Sequence, residues 1–190
     1  VVAPTGVAAI NANGVTIHSF FQLPLSPFVP ESMVKPRFEY SKQKRQIMRT
    51  LDLLIIDEIS MVRADILDAI DSILRRFREH NKPFGGVQLL MIGDLQQLTP
   101  IVKAEEEKLL SRYYNTPYFF DSKALQSTQY VTIELTKVFR QQDEVFINIL
   151  NHFRNGNVTD NDFEILNKRY QANFNPDKNS DYIHLTTHNR

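Results

Sequence analysis

The chain has 190 residues, 42% of them hydrophobic and 23% charged, which is enough for one well-buried core and excludes the disordered and fibrous classes. Its 22 basic and 22 acidic residues cancel, so there is no general attraction to polyanions, and any nucleic-acid contact must come from a local groove. Absence of cysteine excludes a disulfide framework and thiolate metal sites and fits a reducing compartment, and no apolar run approaches the roughly 20 residues of a membrane span.

The chain opens on Val1-Val2-Ala3-Pro4 without an initiator Met and closes on Thr186-Thr187-His188-Asn189-Arg190, so a piece of a longer protein is expected. Short apolar runs predict strands over residues 1–3, 51–56, 87–92, 118–120, 130–135 and 182–186. Several are apolar at consecutive positions, as in parallel strands covered on both faces. Pro24, Pro27, Pro30 and Pro36 punctuate one stretch too densely for a helix or an interior strand. The basic segment with Lys42, Lys44, Arg45 and Arg49 follows, and residues 25–47 read as an insertion protruding from the core. Over residues 63–79, Ile66, Leu67, Ile70, Ile73, Leu74 and Phe77 recur at helical spacing, with Asp65 and Asp68 early and Arg75, Arg76 and Arg78 late, as the helix dipole prefers. A second helix over 143–155 turns Val145, Phe146, Ile149, Leu150 and Phe153 inward and stops at Gly156, and Thr159 with Asp162 caps a third. Alternating strands and helices predict an α/β fold, an open, mostly parallel sheet with helices on both faces.

In such a sheet, ligands bind beyond the carboxyl ends of the strands. Asp57 and Glu58 stand where the apolar run Leu53-Leu54-Ile55-Ile56 ends. Phosphoryl-transfer enzymes place an Asp there to hold magnesium through its water shell, and often an adjacent acid to polarise the attacking water. Acids that merely end a strand are the competing reading. A second strand exit reads Gly93-Asp94-Leu95-Gln96-Gln97-Leu98-Thr99-Pro100, and a Gln there can bond both a γ-phosphate oxygen and the lytic water. A third, Thr136-Lys137-Val138-Phe139-Arg140-Gln141, offers an Arg that could stabilise transition-state charge. No phosphate loop of the form GxxxxGK[ST] is present, since none of the six glycines is followed by Lys.

Gly6 permits close backbone approach, Thr5 with nearby amides could hold a phosphate, and His18, Ser19 and Phe20 offer a hydrogen-bond donor and an aromatic face, the elements of a single-strand platform. A capped turn is the bland alternative. Phe21 reads as core, and Phe84-Gly85-Gly86 reads as either a backbone-contact loop or a plain turn.

Five ordered motifs carry a resemblance. They are Ala3-Pro4-Thr5-Gly6-Val7-Ala8-Ala9, Thr16-Ile17-His18-Ser19-Phe20-Phe21, Ile55-Ile56-Asp57-Glu58-Ile59-Ser60-Met61, Gly93-Asp94-Leu95-Gln96-Gln97-Leu98 and Leu135-Thr136-Lys137-Val138-Phe139-Arg140-Gln141. Together they resemble the motifs of the Pif-type (petite integration frequency) DNA helicases. The resemblance implies a RecA-like P-loop NTPase domain whose phosphate loop precedes Val1, in an enzyme that couples ATP hydrolysis to 5′-to-3′ movement on single-stranded DNA and to unwinding. It implies ATP and Mg2+ as cofactors and single-stranded and forked duplex DNA as partners; no membrane association and a monomer are expected. On the matching positions, Asp57 and Glu58 become the acidic pair, with Asp57 holding magnesium through water. Asp94 completes the nucleotide side, with Gln97 as γ-phosphate sensor and Arg140 reaching the phosphates. Pro4, Thr5, Gly6, His18, Ser19 and Phe20 become DNA contacts. The implied division is a first RecA-like domain over 1–24 and 48–180, a small wedge-like insertion over 25–47, and the start of a second RecA-like domain over 181–190. The isolated chain is expected to unwind nothing. A nucleotide-binding switch without motor activity is the alternative from another class, and it has no need of Thr5, His18 and Ser19. A plain single-strand binding module would not need Asp57, Glu58 and Gln97 at one sheet edge. No cellular address is readable: the resemblance fits a cytoplasmic protein in a bacterium, or a nuclear or mitochondrial one in a eukaryote.

Overall fold

Four short strands lie side by side and all run parallel, in the order β2-β1-β3-β4. The structure, a computed structural model, describes residues 1–29, 40–175, 182–183 and 185–186. In chain order β1 (Val2–Ala3) leads into α1 (Gly6–Asn11), β2 (Val15–Thr16) into α2 (Ile17–Phe21), and α3 (Lys42–Thr50) into β3 (Leu53–Ile56). After α4 (Ala64–Phe77) come β4 (Gln88–Met91), α5 (Ala104–Leu110), α6 (Lys123–Gln126), α7 (Glu144–Asn155) and α8 (Asp160–Asn167). Val2 lies opposite both Val15 and Ile56, and β3 pairs with β4 from Leu53–Gln88 to Ile56–Met91.

The chain divides into two compact units, Val1–Ile133 and Glu134–Arg190. Residue 47 lies inside α3. Residues 30–39 of the expected insertion, with Pro30 and Pro36, lie outside the described residues. Its flanks are anchored in the first unit. The Phe28 N–H donates to Asp65 Oδ2 at 2.9 Å, Val29 is buried, and the Tyr40 hydroxyl donates to the Phe21 carbonyl at 2.7 Å.

In the first unit α4 is the central helix. Its stripe of Ile66, Leu67, Ile70, Ile73 and Leu74 is buried against Leu54, Ile56, Met48 and Phe84, each such side chain contributing about 1.5–3 kcal/mol. Asp68 on the same helix accepts from Tyr114 Oη, Ser122 Oγ and the amides of Lys123 and Ala124, which fixes the start of α6. Phe84 is buried, and a Cβ on Gly85 would stand 2.7 Å from the Leu74 carbonyl oxygen. Phe84-Gly85-Gly86 is therefore a packing turn against α4, the plain reading of that stretch.

Several expectations need correction. In β3 and β4, Leu54 and Ile56 are buried, while Leu53 and Leu90 are 44% and 46% exposed. Residues 118–120 are not a strand. Phe119–Asp121 is a 3-10 turn, closed by the Asp121 N–H on the Tyr118 carbonyl, with only an isolated antiparallel bridge between Tyr118 and Arg63. Residues 130–135 form no strand either: Val131, Ile133 and Leu135 are 79–87% exposed, and a strand exists only by pairing, which no described segment offers them. The described residues of 182–186 are likewise outside any strand.

The second unit contains α7 and α8. Gly156 ends α7 in the left-handed region at φ +70°, and Thr159 and Asp162 form the expected capping box on α8. Of the five α7 residues expected inward, only Ile149 is buried; Val145, Leu150 and Phe153 stay about half exposed, because so short a unit has too little mass to cover them.

Candidate functional site

Because all four strands are parallel, their carboxyl ends share one edge of the sheet, and each ends in one of the sequence motifs. Pro4 and Thr5 follow β1, His18 stands one residue after α2 begins at the end of β2, Asp57 follows β3, and Gly93 and Asp94 lie just beyond β4. The sheet order therefore puts β2 and β1, with the expected DNA contacts, on one half of that edge and β3 and β4, with the expected nucleotide contacts, on the other.

On the β3–β4 half the backbone is tightly constrained. The Asp57 N–H donates to the Val2 carbonyl and the Ile92 N–H to the Ile56 carbonyl, both at 2.9 Å. Asp57 Oδ1 accepts the Glu58 N–H at 3.0 Å, and Glu58 is left-handed at φ +51°. Such a conformation in a residue with a Cβ costs about 1–3 kcal/mol and concentrates at functional sites. Gly93 sits against this turn, where a Cβ would approach Ile59 Cγ2 to 2.9 Å and Ile59 N to 3.0 Å. Sequence reading named Gly93 only as part of a motif; the close approach depends on a neighbouring strand and left no local signal. Beyond it Asp94 organises the loop, accepting the Gln96 N–H at 3.0 Å and Gln97 Nε2 at 3.1 Å. The exposed Gln97 amide is thus oriented by Asp94. No group of three or more His, Cys, Asp or Glu side chains forms a metal cluster among the described residues. One or two half-buried carboxylates are the donor set that suits Mg2+, which retains most of its waters.

On the β2–β1 half, Thr5 caps α1, its Oγ1 accepting the Ala8 N–H at 3.2 Å, and a Cβ on Gly6 would meet nothing within 4 Å. Gly6 is thus not demanded by packing. Thr16 caps α2 through the Ser19 N–H at 3.3 Å, which leaves Ser19 exposed. The half-buried His18 imidazole is held below its usual pKa, first by burial and then by the Arg63 guanidinium, with Asp65 opposing. Phe21 is fully buried, as read from sequence. Phe20 packs edge-to-face on Phe21 at 4.9 Å, and the Lys44 ammonium lies 3.9 Å from its ring centroid. Burial pushes the Lys44 pKa down.

Pro4, Thr5 and His18 line one pocket together with Met61 and Arg63, residues only a few positions beyond Glu58. Arg63 was not singled out by sequence, and an Arg after Met61 carries no distinctive pattern. It is clamped: Nε and Nη2 donate to Asp65 at 2.8 and 2.7 Å, and Nη1 donates to Glu106 at 2.9 Å. Arg140 belongs to the second unit, exposed in the segment before Asp143, which caps α7.

The family model described as PIF1-like helicase matches residues 1–164. The chain belongs to the PIF1-like helicase family. It is 39% identical over 161 residues to the ATP-dependent DNA helicase PIF1 of Saccharomyces cerevisiae, covering 84% of this chain and 18% of that protein. Against the human helicase of the same name it is 40% identical over 164 residues, covering 83% of this chain and 23% of that protein. The chain thus spans about a fifth of the length of these curated relatives. A crystal structure of Pif1 helicase from Bacteroides in complex with ADP-AlF3 and ssDNA superposes with a TM-score of 0.91 at 44% identity, covering 98% of this chain and 43% of that one. Another, of Bacteroides Pif1 bound to ssDNA, gives 0.84 at 47% identity, covering 88% and 39%. Membership of the PIF1-like helicases thus agrees with the parallel α/β sheet and with the residues gathered at its edge. No helix among the described residues is long and apolar enough to cross a membrane.

Proposed function

We propose that this chain supplies nucleotide-side and DNA-side residues of an ATP-dependent 5′-to-3′ DNA helicase. The observation that carries the reading is the sheet edge itself, where two strand exits suited to a triphosphate adjoin two suited to a single strand. In the whole protein Asp57 would hold a Mg2+ ion, which would supply charge neutralisation for phosphoryl transfer. Glu58 orients and deprotonates the attacking water. Gln97, its amide steered by Asp94, reads the γ-phosphate, and Arg140 contributes positive charge at the phosphates. Pro4, Thr5, Gly6, His18, Ser19 and Phe20 contact the single strand or the fork, where the insertion over 25–47 acts as a wedge. Cycles of closing and opening around ATP then step the protein along DNA.

A nucleotide-dependent switch would use the β3–β4 half alone. The pocket that joins Thr5 and His18 to Met61 and Arg63 favours the motor, because it ties the DNA half to the segment leaving Glu58. The test is ATP hydrolysis by the full-length protein in magnesium, with and without single-stranded DNA. Strong stimulation by DNA is expected; hydrolysis indifferent to DNA would favour the switch and withdraw the DNA roles of Thr5, His18 and Ser19.

A further inference from the structure

In the turn between β3 and α4, Ser60 is completely buried, at 0% exposure, and its hydroxyl has no hydrogen-bond partner among the described residues. The backbone around it is engaged. The amides of Asp57, Glu58, Ile59, Met61 and Val62 donate in turn to the Val2 carbonyl, Asp57 Oδ1 and the carbonyls of Ile92, Glu58 and Ile59, at 2.9–3.1 Å. The turn is thus firmly held, with one uncommitted donor at its centre. Among the described residues the other buried oxygen in this condition, Thr116 Oγ1, belongs to a partly exposed residue.

A buried hydroxyl without a partner has lost its bonds to water and gained none, so it destabilises the fold relative to a plain methyl group. Alanine would fill the same space. Such groups are few in folded proteins and gather where function, rather than stability, sets the residue. Two neighbours locate that function. Glu58, two residues earlier, is held in the left-handed region at φ +51°, itself a costly conformation. Gly93, at the exit of β4, lies so close that a Cβ on it would stand 3.1 Å from the Ser60 N. Ser60 therefore sits between the Glu58 turn and the start of the loop that carries Gln97.

We infer that Ser60 is a positioning residue for ATP hydrolysis: when the site closes on a triphosphate, its hydroxyl donates to a main-chain carbonyl of residues 93–97 and locks the Glu58 turn to the γ-phosphate-reading loop. The inference rests on the nucleotide-side reading above and deepens it, since the sequence gives Ser60 no role of its own. In this structure Gln97 Nε2 donates to Asp94 Oδ2 at 3.1 Å. A Gln97 that turns to a γ-phosphate redraws the bonds of its loop, and the Ser60 hydroxyl is the buried donor that the redrawn loop meets. Ser60 is too deep to touch a phosphate. It acts by fixing the distance between Glu58 and Gln97, on which alignment of the attacking water depends.

The test is Ser60→Ala in the full-length protein, which removes a single oxygen. Melting temperature is measured without nucleotide, and steady-state turnover is measured in magnesium with ATP and single-stranded DNA. Without nucleotide the variant should melt at or above the parent temperature, because no bond is lost. Its kcat should fall about tenfold, the weight of one hydrogen bond made only in the reacting arrangement, with KM for ATP unchanged. A variant that melts below the parent overturns the inference, because the hydroxyl is then already bonded in the nucleotide-free protein, as to a buried water. Parent-like kcat overturns it too, while leaving the roles of Glu58 and Gln97 in place. A parent protein that hydrolyses no ATP in magnesium removes both the inference and the nucleotide-side reading.

Discussion

The Ile59 N–H donates to the Ile92 carbonyl at 2.9 Å, lashing the turn that carries Asp57 and Glu58 to the exit of the neighbouring strand. Gly93 follows directly, and its missing side chain is what lets the two exits lie so close. Gly93→Ala should force them apart by several tenths of an ångström. Turnover of the full-length protein is expected to fall about tenfold or more, since small misplacements of reacting groups are costly, while affinity for single-stranded DNA stays near the parent value. Parent-like turnover would show that the contact has no role in aligning the site.

Glu58→Gln keeps the shape of the side chain and removes its basicity. Turnover should drop by about 10²–10⁴-fold, the usual weight of a general base, with nucleotide binding spared. Single-turnover hydrolysis and equilibrium binding of a fluorescent nucleotide separate the two effects. Parent-like turnover in this variant would sink the assignment of Glu58.

Asp65, only 1% exposed, accepts from both Arg63 and the Phe28 amide. Asp65→Ala leaves Arg63 half paired in a buried setting and frees the flank of the insertion. A loss of about 3–5 kcal/mol is expected, as for other broken buried ion pairs, and denaturant unfolding would register it. A loss below about 1 kcal/mol, typical of solvent-exposed pairs, would contradict the burial described.

His18 gives a pH dependence with a definite sign. Its pKa in the folded protein lies below the ordinary 6.5, so just below that pH the unfolded chain binds more protons than the folded one. Stability therefore rises with pH through this window, is lost as pH falls from about 6.5 toward the folded value, and is flat above it. His18→Gln should flatten the slope just below pH 6.5. Melting temperatures of parent and variant at several pH values decide the point; an unchanged slope would mean that His18 titrates as it does in water.

The legible parts of this fold share one property: their signal is carried by many residues in one stretch. Six apolar positions announced α4, and the pair Thr159 and Asp162 announced the start of α8. The elements that escaped were short. β2 has two residues and α2 has five, fewer than a period of either pattern can establish, and both exist because Val15 finds Val2 and Phe21 finds the core. The same limit explains residues 130–135, whose composition suits a strand but which no described segment pairs. At the site, Asp57, Glu58, Asp94 and Gln97 were readable as types at strand ends, whereas the pocket that joins Thr5 and His18 to Met61 and Arg63 draws on three separate segments and is visible only once they are folded together.

The open side of β4 has a practical consequence for anyone handling this chain by itself. No described strand pairs with its outer edge, and Leu90 and Ile92 stand nearly half exposed along it. An uncovered apolar edge invites a second copy to add its own strand. Light scattering by the purified 190-residue chain should climb steeply with concentration, and Leu90→Lys, which puts a solvated charge on that edge, should suppress the rise and improve yield from expression.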